Sequence, residues 1–384
     1  MMNEFIKFSS PEIGDDEIAG VVDVLRSGWL TSGARSAAFE RDFAEFLGGS
    51  VEAIAVNSAT AGLHLALEAV GVGAGDEVIT TTHTFTATAE VIRYLGANPV
   101  FLDIDPSTLC IDISKIESAI TPKTKAIIVV HFAGISANIS AVAEIAKRYD
   151  IKIVEDAAHA LPSSIDGHLV GTLNSDATVF SFYANKTITT GEGGMLVTRS
   201  QEIANRARLM RLHGIDRDAF GRFQAKIPSW FYQVMAPGYK YNLTDMAAAI
   251  GIAQLKKAWR FQAARERIAK EYNQKLNRFG ITIPPQPLQG DVHSWHLYVI
   301  QLPAEMKEYR DNFINKMHDY GVGCSVHYIP LHLQPYWKSF CDLRKEMFPV
   351  SQMVYETSVS LPIYSSMSDE QINRVIQAVE LSLP

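Results

Sequence analysis

The chain has 384 residues, 47% apolar and 20% charged, ordinary proportions for a globular protein with a large core and room for two or three domains. Forty-two acidic against 35 basic residues give a net charge of −7 with no dense Lys/Arg run, which weighs against nucleic acid or an anionic membrane as partner. Cys110, Cys324 and Cys341 form neither a disulfide framework nor a metal pattern, the N-terminus lacks an apolar signal-like region, and no run approaches 18 apolar residues. The expectation is a soluble, cytoplasmic protein with no metal site.

Short β-branched runs recur from about residue 53 to about 200: 53–56 (AIAV), 77–80 (EVIT), 99–102 (PVFL), 126–130 (AIIVV), 151–154 (IKIV), 178–182 (TVFSF) and 195–198 (MLVT). Helix-like stretches with apolar residues near i, i+3 and i+4, such as 61–70 and 139–149, lie between most of them. This alternation predicts a mostly parallel sheet with helices on both faces, and such sheets bind ligands beyond the carboxyl ends of their strands. From Met246 a long helical region is expected through residue 279. A smaller α/β section then follows, with 293–302 (HSWHLYVIQL), a helix near 309–320, the segment 321–332 (GVGCSVHYIPLH) and a closing helix from Ser368. The layout read from this is a large domain over residues 1–250 and a small C-terminal domain over 251–384, with the N-terminal tail packed on one of them.

Chemistry concentrates in the loops after the strands. In 177–198 (ATVFSFYANKTITTGEGGMLVT) a buried strand ends at Ser181, a short loop presents Lys186, and a glycine-rich turn leads into a second apolar strand. An ammonium between buried strands is costly unless paired, and it becomes reasonable if the amine forms an imine with an aldehyde cofactor; a solvated hairpin lysine is the plainer alternative. Thirty positions earlier, 151–158 (IKIVEDAA) ends in Asp156. Pyridoxal 5′-phosphate (PLP) withdraws electrons only while its ring nitrogen stays protonated, and an aspartate there would secure it; read alone, Asp156 is better explained as an N-cap for the next helix. His159 would share a face with Asp156 if a helix follows. Ser58, Ala59 and Thr60 stand at a helix N-terminus that suits a phosphate or plain capping. Phe85, on the loop after EVIT, suits stacking on a flat ring or burial in the core.

In the order phosphate cup, ring stack, ring-nitrogen partner and lysine, the sequence resembles the DegT-type (StrS-type) sugar aminotransferases, a branch of the fold-type I PLP enzymes, over essentially its whole length. The matching stretches are SGWLTSG (27–33), NSATAGLHLAL (57–67), GDEVITTTHTFTATA (75–89), PVFLDID (99–105), VHFAG (130–134), IVEDAAHA (153–160), FSFYANKTITTGEGGML (180–196), GYKYNLTDMAAAIGIAQL (238–255) and HSWHLYVIQL (293–302). The resemblance implies an α/β fold with a seven-stranded, mostly parallel sheet flanked by helices, plus a smaller α/β C-terminal domain. It implies Lys186 as Schiff-base lysine and proton shuttle, Asp156 on the ring nitrogen, His159 near the ring hydroxyl, and Phe85 stacked on the ring. Ser58, Ala59, Thr60 and Ser181 would bind the cofactor phosphate. Many relatives read GYNYR where this chain has GYKYN, so Lys240 or Asn242 would reach the phosphate of a partner subunit in a homodimer. L-Glutamate is the implied donor and a keto-sugar the acceptor, in particular a nucleotide-linked 4-keto-sugar for surface polysaccharide or lipopolysaccharide. Thr31, Trp230, His327 and Tyr328 are the candidate substrate contacts. Pro330 and His332 share the segment of the last two, and Lys226, Phe231 and Tyr232 share an aromatic, basic segment with Trp230. A free keto-sugar acid as acceptor, a sugar dehydratase and a PLP-binding regulator remain as alternatives, although the dehydratases carry histidine in place of Lys186.

Overall fold

The computed structural model describes residues 4–216 and 230–384. Among the described residues, the chain enters through helices α1 (Asp15–Ser27) and α2 (Ala34–Phe46), then alternates strands and helices. The run is β1 (Glu52–Val56), α3 (Ala59–Ala69), β2 (Glu77–Thr81), α4 (Ala87–Tyr94), β3 (Asn98–Leu102), β4 (Thr124–Val130), α5 (Ile139–Tyr149) and β5 (Lys152–Asp156). A two-residue-strand hairpin, β6 (Ser164–Ile165) and β7 (His168–Leu169), precedes β8 (Ala177–Ser181), β9 (Gly194–Thr198) and α6 (Gln201–Met210). The seven long strands form one sheet in the order β1-β9-β8-β5-β4-β2-β3. Only β9 runs antiparallel to its neighbours β1 and β8, so its first residue, Gly194, lies on the edge where the other strands end.

The strands read as continuous apolar runs because both faces are covered. Ile54, Val56, Ile128, Val154, Val179 and Leu196 point to the layer of α3 and α6. Their neighbours Ile127, Val129 and Ile153 point to the opposite layer, with Val142 and Ile145 of α5. Phe39 and Phe43 of α2 close that second face over Phe180 and Phe182. Burying each such side chain stabilises by up to roughly 1.5–3 kcal/mol. Gly62 lets α3 lie against β8, since a Cβ there would stand 2.7 Å from Val179 Cγ1.

The helical region expected from Met246 to residue 279 is present as two helices, α7 (Asp245–Leu255) and α8 (Ala258–Leu276). The break falls at Lys257, whose Nζ is pinned 2.9 Å from both carboxylate oxygens of Glu17 on α1. Beyond it come β10 (Tyr298–Gln301), α9 (Arg310–Asp319), α10 (Pro335–Phe340), α11 (Pro349–Thr357), β11 (Ser358–Leu361) and α12 (Asp369–Ser382). β10 and β11 pair antiparallel, and with α8, α9 and α12 they enclose a core that includes Tyr272, Tyr298, Phe313 and Val375. The N-terminal tail packs here through Ile6, bridged to Val322. The segment 321–332 forms no strand. It runs along this small sheet with single bridges such as Ser325 to Ser360. No helix among the described residues is long and apolar enough to cross a membrane.

Replacing Gly62 by valine drives methyl groups into Val179 and should destabilise the protein by about 1–3 kcal/mol, the range for overpacking. Urea unfolding checks it: a change under about 0.5 kcal/mol would show that α3 does not lie this close to β8.

Candidate active site

Five loop segments and the end of β4 meet over the carboxyl edge of the sheet and line a cavity of about 500 Å³, a size that takes a small ligand. At the end of β1, Ser58 caps α3, its Oγ accepting the Ala61 N–H at 3.1 Å. The first turn of α3 therefore presents backbone N–H groups and the positive end of the helix dipole to the cavity, beside Ser181 at the end of β8. A Cβ on Gly194 would stand 2.8 Å from the Ala59 nitrogen, so β9 begins this close to the helix only as glycine.

Asp156 ends β5, 6% exposed. It caps no helix, because a turn comes next. Its Oδ1 accepts the Ala158 N–H at 3.2 Å and its Oδ2 accepts the Thr88 hydroxyl at 2.7 Å, with Thr84 bonded to Thr88 at 2.8 Å. His159 reaches the same cavity from that turn, so its proximity to Asp156 does not come from a shared helix face. Phe85 is no core residue; it is 58% exposed at the cavity wall, its ring 6.0 Å from that of Tyr328.

Lys186 sits in a hydrogen-bonded loop between β8 and β9, not in a solvated hairpin. The Phe182 carbonyl accepts from the Thr190 N–H and the Thr189 hydroxyl, and Ile188 is buried beneath. Burial lowers the Lys186 amine to about 8, while the nearby Asp156 carboxylate pulls the other way. Burial, and after it the field of Lys186, holds His159 well below the usual histidine range and His327 down at about 4, so both are neutral at physiological pH. Tyr328 closes the cavity, its hydroxyl 2.8 Å from His159 Nε2. His332 is buried in a structural role, bonded to Thr82 and Gln352.

Ser58, Ala59, Thr60, Phe85, Asp156, His159, Ser181, Lys186, His327 and Tyr328 thus share one cavity. Thr31, Lys240 and Asn242 do not reach it within the chain and line a second pocket of about 680 Å³. There Lys240 Nζ donates to Asn242 Oδ1 at 2.6 Å, and Asn242 Nδ2 donates to Ser32 Oγ at 2.7 Å. Trp230 lies outside both pockets, 74% exposed against Phe231, and Lys226 lies outside the described residues. The sequence reading missed Thr84 and Thr88, whose i, i+4 spacing at the start of α4 was the available signal, and His296, whose ring packs at a tilt 4.5 Å from that of His159. It also missed Tyr183, Asn185 and Glu192, which line the cavity.

These donors fit PLP. The helix N-terminus with Ser58 and Ser181 suits a phosphate, the exposed face of Phe85 suits a flat ring, Asp156 suits a protonated ring nitrogen, and an amine lowered to about 8 suits an aldehyde. Comparison with known proteins agrees with that chemistry. The sequence profile of the DegT/DnrJ/EryC1/StrS aminotransferase family matches residues 11–380. The spore coat polysaccharide biosynthesis protein SpsC of Bacillus subtilis is 43% identical over 379 residues, covering 98% of this chain and 97% of its own. Spr1654 of Streptococcus pneumoniae, in its pyridoxamine-phosphate (PMP) form, superposes with a TM-score of 0.92 at 33% identity, covering 98% of each chain; it has also been solved in a PLP form. PseC of Helicobacter pylori, an aminotransferase involved in the biosynthesis of pseudaminic acid, does so with 0.91 at 30% identity over 99% of each chain.

In the cofactor-free protein, the nucleophilic form of Lys186 gains population as pH rises through about 8 and then levels off. The rate of adduct formation with a small aldehyde, followed by borohydride reduction and mass spectrometry, should titrate there. A midpoint near the ordinary lysine value, about 10.4, would contradict the burial argument.

Proposed function

This chain belongs to the DegT/DnrJ/EryC1/StrS aminotransferase family and is a PLP-dependent sugar aminotransferase; on that premise we propose that it transfers the amino group of L-glutamate to a nucleotide-linked 4-keto-sugar destined for a surface polysaccharide or lipopolysaccharide, acting as a cytoplasmic homodimer. The observation that carries the reading is the presence of Lys186 and Asp156 on one cavity beside the α3 phosphate cup. The names of SpsC and PseC support the polysaccharide and amino-sugar setting, and the EDAAHA and GYKYNLTDMAAAIG stretches resemble enzymes that make 4-amino-sugars. Residues 1–250 act in this reading as the cofactor-binding domain, and residues 251–384 as the small domain that brings His327 and Tyr328 to the substrate.

PLP, when bound, supplies an aldehyde that takes up the amino group and a ring that draws electrons from the reacting carbon. The protein's part is positioning and proton movement. The first turn of α3, Ser58 and Ser181 hold the phosphate. With PLP bound, Asp156, oriented by Thr88, would keep a positive charge on the ring nitrogen, and Phe85 would stack on the ring. Lys186 Nζ, brought down to about 8 by burial, accepts and returns a proton, a task favoured by a value closer to the working pH than that of an ordinary lysine. Two alternate half-reactions on one site imply ping-pong kinetics.

The cavity wall carries a single cationic side chain, Lys186, among the described residues, whereas a bound phosphate brings close to two negative charges. A partner subunit would supply the missing charge. Lys240 is our choice for it, since it carries the positive charge that the neutral Asn242 amide lacks, and its ammonium keeps two further N–H donors besides the one given to Asn242.

Glutamate assayed with UDP-, dTDP- and GDP-linked keto-sugars should yield one product with the mass of a gained amine. Turnover of free keto-sugar acids alone would sink the nucleotide assignment and favour the sugar-acid reading. Lys186→Ala should lower turnover at least about 10²-fold, the share a positioned proton-transfer group contributes.

Lys240→Ala should weaken PLP binding by roughly 10–100-fold, a charge-assisted hydrogen bond being worth about 1.5–3 kcal/mol. Mixed dimers of Lys186→Ala and Lys240→Ala subunits should recover one wild-type site each. No recovery would mean that Lys240 does not act across the interface.

A further inference from the structure

His159 makes two hydrogen bonds, and together they fix where its proton is. Nδ1 lies 3.2 Å from the backbone nitrogen of Ala133, an N–H that can only donate, so Nδ1 is the acceptor. A neutral imidazole with an accepting Nδ1 carries its proton on Nε2. Burial keeps the ring neutral, as does the charge of Lys186. Nε2 lies 2.8 Å from Tyr328 Oη. The histidine is therefore the donor and the phenol the acceptor, which leaves the phenolic proton unused.

No second bond of Tyr328 Oη occurs among the described residues. The ring stands 6.0 Å from Phe85, 6.5 Å from Phe132 and 4.9 Å from His327, none of which offers that proton an oxygen. Burial, reinforced by Asp156, pushes the phenol well above its usual range, so the group stays protonated. A phenol held at its oxygen by a neutral histidine, on the wall of the cavity that holds Lys186, has its O–H directed into that cavity.

We propose that Tyr328 is the hydrogen-bond donor to the cofactor's ring oxygen next to the aldehyde carbon, and that His159 serves as a positioning residue that sets the direction of the tyrosine proton. The inference rests on PLP occupying the cavity. A donor on that oxygen draws off negative charge that would otherwise stabilise a proton on the neighbouring nitrogen of Lys186. Tyr328 would thereby keep that nitrogen easier to deprotonate. Among the described residues, the charged or titratable groups lining the cavity with the pair are Asp156, Tyr183, Lys186, Glu192 and His327, and His296 packs at a tilt against His159.

The test uses the PLP-loaded protein and the pH midpoint of its visible absorbance. Tyr328→Phe should move that midpoint up by about one unit, a tenfold change in proton affinity, whereas a tyrosine that only fills space would leave it in place. An unchanged midpoint overturns the proposal. A second measurement covers a variant that fails to fold: ¹⁵N spectra of histidine-labelled, cofactor-free wild type, with the signal of His159 assigned by His159→Gln. They should show His159 protonated at Nε2 alone; a proton on Nδ1 overturns the proposal equally. Absence of any borohydride-trapped PLP on Lys186 would instead defeat the cofactor reading itself, so the two failures are distinguishable.

Discussion

The pairing of β5 with β8 is the contact on which the site depends. Its parallel register sets Asp156 opposite Val179, so the strand that ends in the carboxylate lies beside the strand that ends at Ser181 and leads on to Lys186. Thirty residues of chain separate Asp156 from the lysine, and the sheet removes that separation. A buried amine is tolerable there because a carboxylate shares the cavity with it, and in the proposed function an aldehyde ligand takes up the amine. The same edge receives α3, whose N-terminal turn meets Gly194 at the one place where β9 starts against the direction of its neighbours.

Much of the surrounding structure keeps that edge in position through charges placed where backbone groups need them. The N-terminus of α2 has only Gly33 as its cap, and the missing acceptor comes from Asp245 at the start of α7. The Asp245 carboxylate takes the N–H groups of Gly33, Arg35 and Ser36 at 2.7–3.1 Å. Glu17 does comparable work on α1, where burial would raise its carboxyl but hydrogen bonds from Lys257 and Gln254 hold it low. These bonds tie α1, α2 and α7 together against the sheet, and Gln254 continues the chain of contacts to the Thr189 N–H in the loop of Lys186.

A second theme is the neutral histidine. His159, His293, His296 and His327 are all shifted downward chiefly by burial. At neutral pH all four are uncharged, and His159, His293 and His327 act as hydrogen-bond partners instead of charges, which spares the cavity further cations beside Lys186. Glu155, adjacent to Asp156 but pointing to the other face, shows the contrasting solution. Burial would raise it, yet His131, Ser175 and Thr178 all bond to it and keep it ionised.

How much of this was legible beforehand varies from residue to residue. The parallel sheet was, because strands covered on both faces need apolar residues at every position, and a helix-strand alternation has few other ways to pack. Lys186, Asp156 and the Ser58–Thr60 turn were legible because local chemistry sets unusual terms: a lysine among buried strands, a carboxylate at a strand end, small polar residues before a helix. The sequence alone left Asp156 open between helix cap and ring partner, and Phe85 between core and stacking face. The tertiary surroundings exclude the helix cap and the core, with a turn in place of a helix after Asp156 and a cavity in place of a core beside Phe85. Nor could it place Thr88 under Asp156, cap α2 with a residue more than 200 positions away, break the helix at Lys257, or set the proton of Tyr328 through His159. Each depends on partners distant in the chain, and no local propensity encodes a hydrogen bond whose acceptor arrives only when the sheet has assembled.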